Sequence, residues 1–465
     1  MANIAFGSKY FIFSKFSSIP KTSKIEQDRA NLQKEYDDFM AFGESSELND
    51  FKELGVYLES KEYIHAVNKL QDQKKAEEGR INNYASQVKS KKFKNHFKFK
   101  SSAKLKEHLT FADSKDYQRY IELKNSKALK SDENLQKELS NLEKSGGIKR
   151  FLKFENNPKY KEYKTFEDSK ELADHFKLGE YLKSPEHTEL LKESNDKLLA
   201  ENDKKKKFEE FKNSKKYKWF TELQNSNKFD QLKSWEVVFE DDFNGKLDQE
   251  KWLTRYFWGD KLFNGPYALE HDKAFPTDGK NLETGNTLKI VTKREKVEGT
   301  IWKLPFGFVP QTFDYSTGMI NSGKSHRQLY GKVEAKIKIN YAKAVNYNFW
   351  MASDKMLPHI DILKLQQKKS KAELSHHYGN AKDAQHTKAE FSGLDLDQDF
   401  FIYTLEWTKD KLTWKINDVV VNEQTKGVPQ EPLFITFSCG ITGKPNDAGL
   451  PASMEIDWVR CYKKV

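Results

Sequence analysis

Three ionisable side chains lie close together in one short apolar stretch, residues 357–366, which reads LPHIDILKLQ. His359 and Asp361 are two residues apart, and Lys364 follows three residues after Asp361. The alternating apolar residues are typical of a half-buried β-strand, in which residues i and i+2 face the same side. Lys364 reaches that side only if one extra residue bulges out of the strand. If the strand is bulged in this way, it presents an imidazole, a carboxylate and an ammonium group on one face.

These three groups allow two interpretations. An imidazole and a carboxylate within hydrogen-bond reach could move a proton in acid–base chemistry, and a third titratable group could assist them. The same side chains could instead form an internal hydrogen-bonded His–Asp–Lys cluster that performs no chemistry. We favour the cluster, because one carboxylate beside two basic groups leaves the face neutral to positive in charge.

Such a strand needs a β-rich domain around it, and the amino-acid composition of the chain changes accordingly at Trp235. From there to residue 465, short runs rich in Val, Ile, Thr, Phe and Trp are separated by Gly, Asn and Asp. Eight or more short strands between turn residues are typical of an all-β sandwich, so we predict one β domain over residues 235–465. The predicted strands include NTLKIVTK (286–293), GKVEAKIKI (331–339), FIYTLEW (401–407), KLTWKIND (411–418), PLFITFSC (432–439) and MEIDWVRCY (454–462).

This β region resembles glycoside hydrolase family 16, the β-jelly-roll (concanavalin A-like) laminarinases, lichenases and related β-glucanases and galactanases. The resemblance covers residues 235–465, about half of the chain. It implies a jelly-roll sandwich. It is carried by five phrases in order: VFEDDFNGKLDQEKW (238–252), YSTGMINSGKSHRQLYGKVEAKIKI (315–339), NFWMASDKMLPHIDILK (348–364), FIYTLEWTKDKLTWKINDVVV (401–421) and LPASMEIDWVRCY (450–462).

The resemblance also implies where chemistry would occur. The family's motif is Glu-x-Asp-x-Glu, or Glu-x-Asp-x-x-Glu with a bulge, and a retaining glycosidase needs its two carboxyl groups about 5 Å apart. In this chain the bulged frame holds His359, Asp361 and Lys364, and Leu357 stands where a Trp would precede the motif. Only the middle Asp remains. We therefore expect no catalytic residue at these degenerate positions, and predict that the protein is not an enzyme.

A sugar-binding cleft could remain, because aromatic faces and planar polar groups bind pyranose rings. The candidate ligand-binding residues are Tyr256, Trp258, Trp350, His376 and His377. Trp350 could instead belong to the core, and for Trp258 cleft and core are equal alternatives. A polysaccharide in the cleft is the ligand that these residues suggest.

Metals and disulfides contribute little to the prediction. We predict no metal and no cofactor. The resemblance places Asp457 where a structural calcium ligand can occur, and a salt bridge to a nearby Lys or Arg is an equal alternative. Cys439 and Cys461 are the two cysteines of the chain, and we predict two buried thiols rather than a disulfide.

Residues 1–234 have a different pattern, in which Ser or Asn, usually followed by Lys, precedes an aromatic residue, as in DSKDY (113–117) and NSKKY (213–217). Ser and Asn are strong helix N-caps, and apolar residues recur between them at helical spacing. The pattern predicts an all-α array of short helices of about ten residues that stabilise one another by stacking. A few long helices are the alternative. The histidines of this region are too scattered to suggest a metal site: His65, His96, His108, His175 and His187.

The charge distribution narrows the choice of partners. The chain carries a net charge of +10, of which residues 1–234 carry +9 and residues 235–465 carry +1. Lysines alternate with glutamates, which is typical of a solvated helix face, so nucleic acid is the partner we favour least. No segment is long and apolar enough to span a membrane, and the start of the chain is a poor secretory signal. We expect a cytoplasmic protein, with export by another route as the alternative.

Three functions follow from these observations. The first is a catalytically inactive, glycoside-hydrolase-like scaffold or binding module, which holds a glycan or a protein. The second is a structural protein that self-assembles through the helical region, where Phe and Tyr are frequent. The third is a redirected or weakly active β-glycan hydrolase that uses His359 or Lys364. We favour the first because both glutamate positions are exchanged.

Overall fold

The computed structural model describes residues 19–380, 382–443 and 447–465. The assessment of the secretory signal falls largely on residues outside these ranges. Within them the chain forms two compact units. The helical unit is Ala41–Glu222, and the β unit combines the described residues up to Met40 with Leu223–Val465.

The helical unit is an array of helices joined by very short connections. The first helix, α1 (Thr22–Gly43), contributes residues to both units. The others are α2 (Ser46–Glu59), α3 (Lys61–Lys89), α4 (Lys91–Lys100), α5 (Ala103–Ala112), α6 (Lys115–Asn125), a 3₁₀ turn (Lys127–Lys130), α7 (Glu133–Lys144), α8 (Gly146–Glu155), α9 (Pro158–Glu167), α10 (Lys170–Lys183), α11 (Pro185–Lys212) and α12 (Lys215–Gln224).

The predicted N-caps are present. Ser90, Ser102 and Ser114 each accept, through the side-chain oxygen, the backbone N–H three residues later. This bond satisfies a donor that the helix itself leaves unpaired. Six of the helices have ten or eleven residues, as predicted, whereas α3 and α11 are longer, with 29 and 28 residues. The helical unit thus contains the short helices that the pattern predicts, together with two of the long helices that were the alternative.

Aromatic rings hold the helical unit together from within. Phe51 on α2 stacks on Phe208 and Phe211 of α11, with 4.6 Å between ring centroids in both pairs. Tyr217 lies 4.8 Å from the same Phe51 ring. These rings include the ones that suggested self-association, and they contact each other inside one unit. Self-association therefore stays a prediction.

The β unit contains a short helix, α13 (Asp230–Lys233), a further helix, α14 (Phe257–Leu262), and two sheets. The strands are β1 (Trp235–Asp241), β2 (Phe275–Pro276), β3 (Leu282–Thr284), β4 (Leu288–Lys303), β5 (Gly307–Thr317), β6 (Met319–Asn321), β7 (Gly331–Asn340), β8 (Val345–Ala352), β9 (His359–Leu365), β10 (Lys371–Asn380), β11 (Asp383–Ser392), β12 (Phe401–Trp407), β13 (Leu412–Ile416), β14 (Val419–Gln424), β15 (Phe434–Ile441) and β16 (Ala452–Lys464).

The two sheets form an open sandwich. The ten-stranded sheet has the order β14-β13-β12-β7-β16-β4-β5-β2, with β1 paired to β16 and β3 paired to β4. The six-stranded sheet has the order β11-β10-β9-β8-β15-β6. One apolar core includes Ile337 and Ile456 from the first sheet and Phe349, Leu363 and Phe437 from the second. The predicted fold class, a helical array followed by a β-jelly-roll sandwich, is confirmed.

The start of α1 makes contacts with the ten-stranded sheet, although the predicted division at residues 234 and 235 assigned it to the helical region. Arg29 forms two hydrogen bonds, of 3.1 and 3.2 Å, with the buried carboxylate of Glu334. Burial raises the pKa of Glu334, but Lys332 and Arg29 outweigh that effect and lower it. A buried carboxylate is stable only with such partners, so the sandwich uses Arg29 as part of its own structure.

Other expectations for the β unit can be compared with the structure. Cys439 and Cys461 are both buried and free, as predicted. Asp457 forms a salt bridge with Lys336 at 2.8 Å, the alternative to a calcium ligand at that position. Among the described residues, no helix has both the length and the apolar character that crossing a membrane requires.

Candidate functional site

The strand β9 contains the bulge that the spacing predicts. Opposite β8, Leu363 pairs with Phe349 and Asp361 pairs with Trp350, so Ile362 is the extra residue. The pairing with β10 shifts at the same place. Because the bulge restores the register, His359, Asp361 and Lys364 reach one side of the six-stranded sheet. We call this side the His359 face.

Asp361 is the anchor of the His359 face. His359 Nε2 lies 2.9 Å from Asp361 Oδ1, and Ser375 Oγ donates to Oδ2 at 2.5 Å. The side chain is buried, which by itself raises the pKa of Asp361, but His359, Lys364 and Ser375 outweigh burial and lower the pKa to about 2. Asp361 is therefore ionised at neutral pH and is held in place by both of its oxygens.

Lys364 is bound to a residue that the sequence interpretation missed. Its Nζ donates to Glu373 Oε1 at 3.3 Å, and Glu373 Oε2 forms a 2.7 Å ion pair with Lys388. The predicted single His–Asp–Lys cluster is thus two neighbouring groups, one around Asp361 and one around Glu373. Glu373 lies on β10 directly opposite Lys364, and finding it required the register between the two strands.

Three histidines form a row across β9, β10 and β11. His377 pairs in register with His359 on one side and with His386 on the other. The ring centroids are 5.6 Å apart in both pairs. Burial lowers the pKa of His377, and the carboxylate of Asp361, 3.9 Å away, opposes that effect. His377 therefore lies at the His359 face, as a ligand-binding candidate should.

His376 has a different environment from the one expected of a ligand contact. Its side chain is fully buried, with Nε2 2.8 Å from the carbonyl oxygen of Gly427 and Nδ1 3.0 Å from Thr387 Oγ1. Neighbouring residues of a strand point to opposite sides, so His376 leaves the face that His377 occupies. The structure gives His376 a structural role, and the expected ligand contact is corrected accordingly.

Trp350 forms the base of the His359 face. Its ring stacks on that of His359, with 4.9 Å between centroids and 22° between planes. Its Nε1 donates to Ser438 Oγ at 3.0 Å, and only 8% of the residue is exposed. The Trp350 ring therefore supports the imidazole of His359 by stacking on it, and most of the surface of Trp350 is already covered by protein.

Tyr256 and Trp258 lie at the start of α14, where Tyr256 is the N-cap and Trp258 belongs to the first turn. Trp258 packs on Phe434, with 5.7 Å between ring centroids, and its Nε1 donates to the carbonyl oxygen of Asp354 at 2.7 Å. Tyr256 donates to Asp272 Oδ2 at 3.1 Å. Trp258 and Trp350 belong to one apolar cluster with Phe434, so the structure brings these two tryptophans close together. Half-buried Trp258 is the one that keeps ring surface for a ligand.

The chemistry available on the His359 face is that of paired charges. Asp361 and Glu373 are the carboxylates, and both contact basic groups. Their partners donate hydrogen bonds and could also donate to the hydroxyl groups of a sugar. Within residues 19–380, 382–443 and 447–465, no group of three or more His, Cys, Asp or Glu is arranged to hold a metal ion.

Comparisons with known proteins show what this unit is similar to. Residues 272–460 match the model of glycosyl hydrolases family 16. The kappa-carrageenase of Pseudoalteromonas carrageenovora is 27% identical over 271 residues, covering 48% of this chain and 63% of the relative. Glucan endo-1,3-beta-glucosidase A1 of Niallia circulans is 23% identical over 278 residues, covering 49% of this chain and 38% of the relative. The chain thus spans less than two thirds of these relatives.

Solved structures match the same part of the chain. The complex of the Pseudoalteromonas carrageenovora kappa-carrageenase with an oligotetrasaccharide of kappa-carrageenan is 24% identical and covers 50% of this chain and 96% of that chain, with a TM-score of 0.42. The laminarinase catalytic domain of Thermotoga petrophila is 19% identical and covers 50% and 99%, with a TM-score of 0.41. Residues 272–460, the greater part of the β unit, are thus similar to glycosyl hydrolases family 16.

Proposed function

We propose that this protein is a non-catalytic binding module that holds a polysaccharide on the His359 face of its β unit. One observation carries the proposal. By the resemblance of residues 348–364 to the family's motif, His359 and Lys364 stand at the two positions around Asp361 where the family keeps a pair of glutamates. A retaining glycosidase uses one carboxylate as nucleophile and one carboxylic acid as proton donor.

The charges around Asp361 support the absence of hydrolysis. The transition state of glycoside hydrolysis is cation-like and is stabilised by negative charge. On the His359 face, Lys364 and Lys388 both lie against Glu373, and His359 lies against Asp361. An ammonium group is also a much weaker acid than a carboxylic acid, so Lys364 is a poor substitute for the proton donor.

The surroundings of Asp361 support binding. Half-buried Trp258 offers a ring, and His377, whose side chain is 40% exposed, offers a hydrogen-bonding group on the same unit. Aromatic rings with a few placed polar groups are the usual lining of a carbohydrate site. Relatives of this unit are named as a kappa-carrageenase and a glucan endo-1,3-beta-glucosidase, which favours a polysaccharide as the ligand class.

Affinity electrophoresis tests the binding. The full chain is run through native gels that contain kappa-carrageenan, laminarin, lichenan or agarose. We expect one of these polysaccharides to retard the protein, and Trp258→Ala to remove most of the retardation. Phe176→Ala, which changes an exposed ring of the helical unit, is the matched control and should migrate like the unchanged protein. Equal mobility in all gels would contradict the proposal.

A redirected hydrolase is the second candidate, and one observation favours it. His359 and the ionised Asp361 lie within hydrogen-bond distance on a partly exposed face, which is the arrangement of an acid–base pair. This candidate requires that reducing ends appear, and that His359→Ala abolishes them while His65→Ala, at an exposed position of α3, does not. If no polysaccharide is cut, this candidate is excluded for those substrates.

A further inference from the structure

The positive charge of the chain is concentrated in one part of the helical unit. Residues 91–130 contain twelve Lys and Arg and four Asp and Glu, a net charge of +8. The whole chain carries +10, so the remaining residues together carry only +2. These forty residues form α4, α5, α6 and the following 3₁₀ turn, which we call the basic arm.

Most cations of the basic arm are free to bind another molecule. Lys92 pairs with Glu171, Lys100 pairs with Glu167, and Arg119 pairs with Glu138 and Glu122. The other lysines are exposed and form no ion pair with any described residue, apart from Lys124, which donates to Tyr120. These unpaired lysines are Lys91, Lys94, Lys98, Lys104, Lys106, Lys115, Lys127 and Lys130.

An apolar ladder runs along the same arm. Seven residues after the N-caps Ser90, Ser102 and Ser114, the chain places Phe97, Leu109 and Ile121, which are 38%, 52% and 37% exposed. The residues three and six positions after each cap are apolar or aromatic and largely buried. Leu109 and Ile121 remain exposed, and Phe97 keeps exposed surface although it also contacts the ring of Phe176. A regularly repeated exposed apolar side chain is a feature of interaction surfaces.

Lysines flank this ladder on the solvent side. Lys94 and Lys106 are three residues before Phe97 and Leu109, and residues at i and i+3 are neighbours on a helix surface. A depression of about 580 Å³ lies on α5, and Lys106 is part of its lining. Its lining is Ala103, Lys106, Glu107, Thr110, Phe111 and Ser114, which combines apolar surface with an unpaired ammonium group.

We propose that the basic arm docks an acidic amphipathic segment of another protein. Carboxylates of the segment would pair with the free lysines, and its apolar side chains would cover Phe97, Leu109 and Ile121. Charge complementarity of this kind speeds association and selects the partner, and apolar contacts supply most of the affinity. The proposal concerns the helical unit alone and does not depend on whether the β unit cuts or only binds a glycan.

The shape and composition of the arm favour a protein segment over other anionic partners. Linear polyanions have little apolar surface to cover aliphatic side chains such as Leu109 and Ile121. An anionic membrane would accept both lysines and apolar residues, but a depression lined by Lys106 and Phe111 offers a pocket for a protruding side chain. Protein segments supply such side chains.

Fluorescence anisotropy with a defined probe tests the proposal. The probe is a labelled 18-residue helix-forming peptide of Glu and Leu with its leucines on one face, added to the full chain. We expect saturable binding that weakens with salt. Lys94→Glu/Lys106→Glu should weaken it at least about tenfold, and Leu109→Ser should weaken it severalfold.

Matched controls separate this surface from general charge and hydrophobicity. Lys205→Glu/Lys207→Glu reverses two exposed lysines of α11, and Leu199→Ser alters a side chain that is 60% exposed on the same helix. Both should bind the probe like the unchanged protein. The proposal is overturned if the probe does not bind, or if the controls lose as much affinity as the basic-arm variants. Tighter binding to polyglutamate or to phosphatidylserine vesicles than to the probe would also overturn it, in favour of a general polyanion or a membrane.

Discussion

Nε2 of His359 lies 2.9 Å from Oδ1 of Asp361, two residues further along the same strand. The same Asp361 accepts a hydrogen bond from Ser375 through its other oxygen. Both oxygens of the carboxylate are thus engaged by side chains of the same sheet, Oδ1 by His359 and Oδ2 by Ser375. This arrangement stabilises the strand, and it leaves Asp361 poorly placed to help a nucleophile.

Asp361→Asn tests the structural part of this role. The amide can accept through only one oxygen and carries no charge, so His359 or Ser375 loses its partner. We expect unfolding in urea to require about 1–3 kcal/mol less free energy than in the unchanged protein, as for other buried hydrogen-bond networks. Asp410→Asn, at an exposed position, is the control and should change the free energy by less than about 0.5 kcal/mol. Equal stabilities of the two variants would refute this role.

The pH dependence of stability follows from the lowered pKa of Asp361. In the unfolded chain the group titrates near 3.8, and in the folded protein its pKa is about 2. Its contribution is therefore fully present above pH 4 and is lost as the pH falls towards 2. Over that window the stability difference between the unchanged protein and Asp361→Asn should shrink by about 2 kcal/mol. Urea unfolding of both proteins at pH 2, 3, 4 and 5 measures this, and a constant difference would speak against it.

The helical unit should respond to pH in a higher range. Burial lowers the pKa of His96, against the opposing effect of Glu167, and burial lowers the pKa of His175, which contacts Gln87. Both folded-state pKa values lie below the unfolded value of about 6.5. The contribution of the two neutral histidines to stability is therefore fully present above pH 6.5 and is lost as the pH falls below it.

Thermal melts followed by far-UV circular dichroism measure this response. The melting temperature of the unchanged protein should be lower at pH 5.5 than at pH 7.5. His96→Gln/His175→Gln should reduce the difference, whereas His65→Gln, at an exposed site of α3, should leave it as it is. If the double variant keeps the full difference in melting temperature between pH 5.5 and pH 7.5, groups other than His96 and His175 cause that difference.

The N-caps of the short helices allow a simple test of their contribution. Ser102 accepts the backbone N–H of Leu105, and Ser102→Ala removes that acceptor. We expect a loss of about 1 kcal/mol in the free energy of unfolding. Ser126 begins the 3₁₀ turn without such a bond, so Ser126→Ala is the matched control and should have little effect. Similar losses in both variants would mean that the cap bond is not the cause.

Local features of the fold could be predicted because they depend on neighbours in the sequence. The bulge at Ile362 follows from the spacing of Asp361 and Lys364, and the caps follow from Ser90 and its equivalents. Both are set within one strand or one helix turn, where sequence distance fixes spatial distance.

Relations between elements could not be predicted in the same way. Glu373 joins the His359 face only through the register of β10 on β9, which depends on the loop between the strands. His376 was predicted as a ligand contact together with His377, and strand alternation puts its side chain on the other side, where it is fully buried. Arg29 binds Glu334 across 305 positions, a pairing to which no local pattern points.

The release of reducing ends tests the central claim most directly. The full chain and Asp361→Ala are incubated in parallel with kappa-carrageenan, laminarin, lichenan and agarose, and new reducing ends are counted over time. Because we propose that His359 and Lys364 stand at the positions of the two catalytic glutamates, we predict equal, background-level signals from both proteins with every substrate. Reducing ends that accumulate with the full chain and disappear with Asp361→Ala would contradict the account.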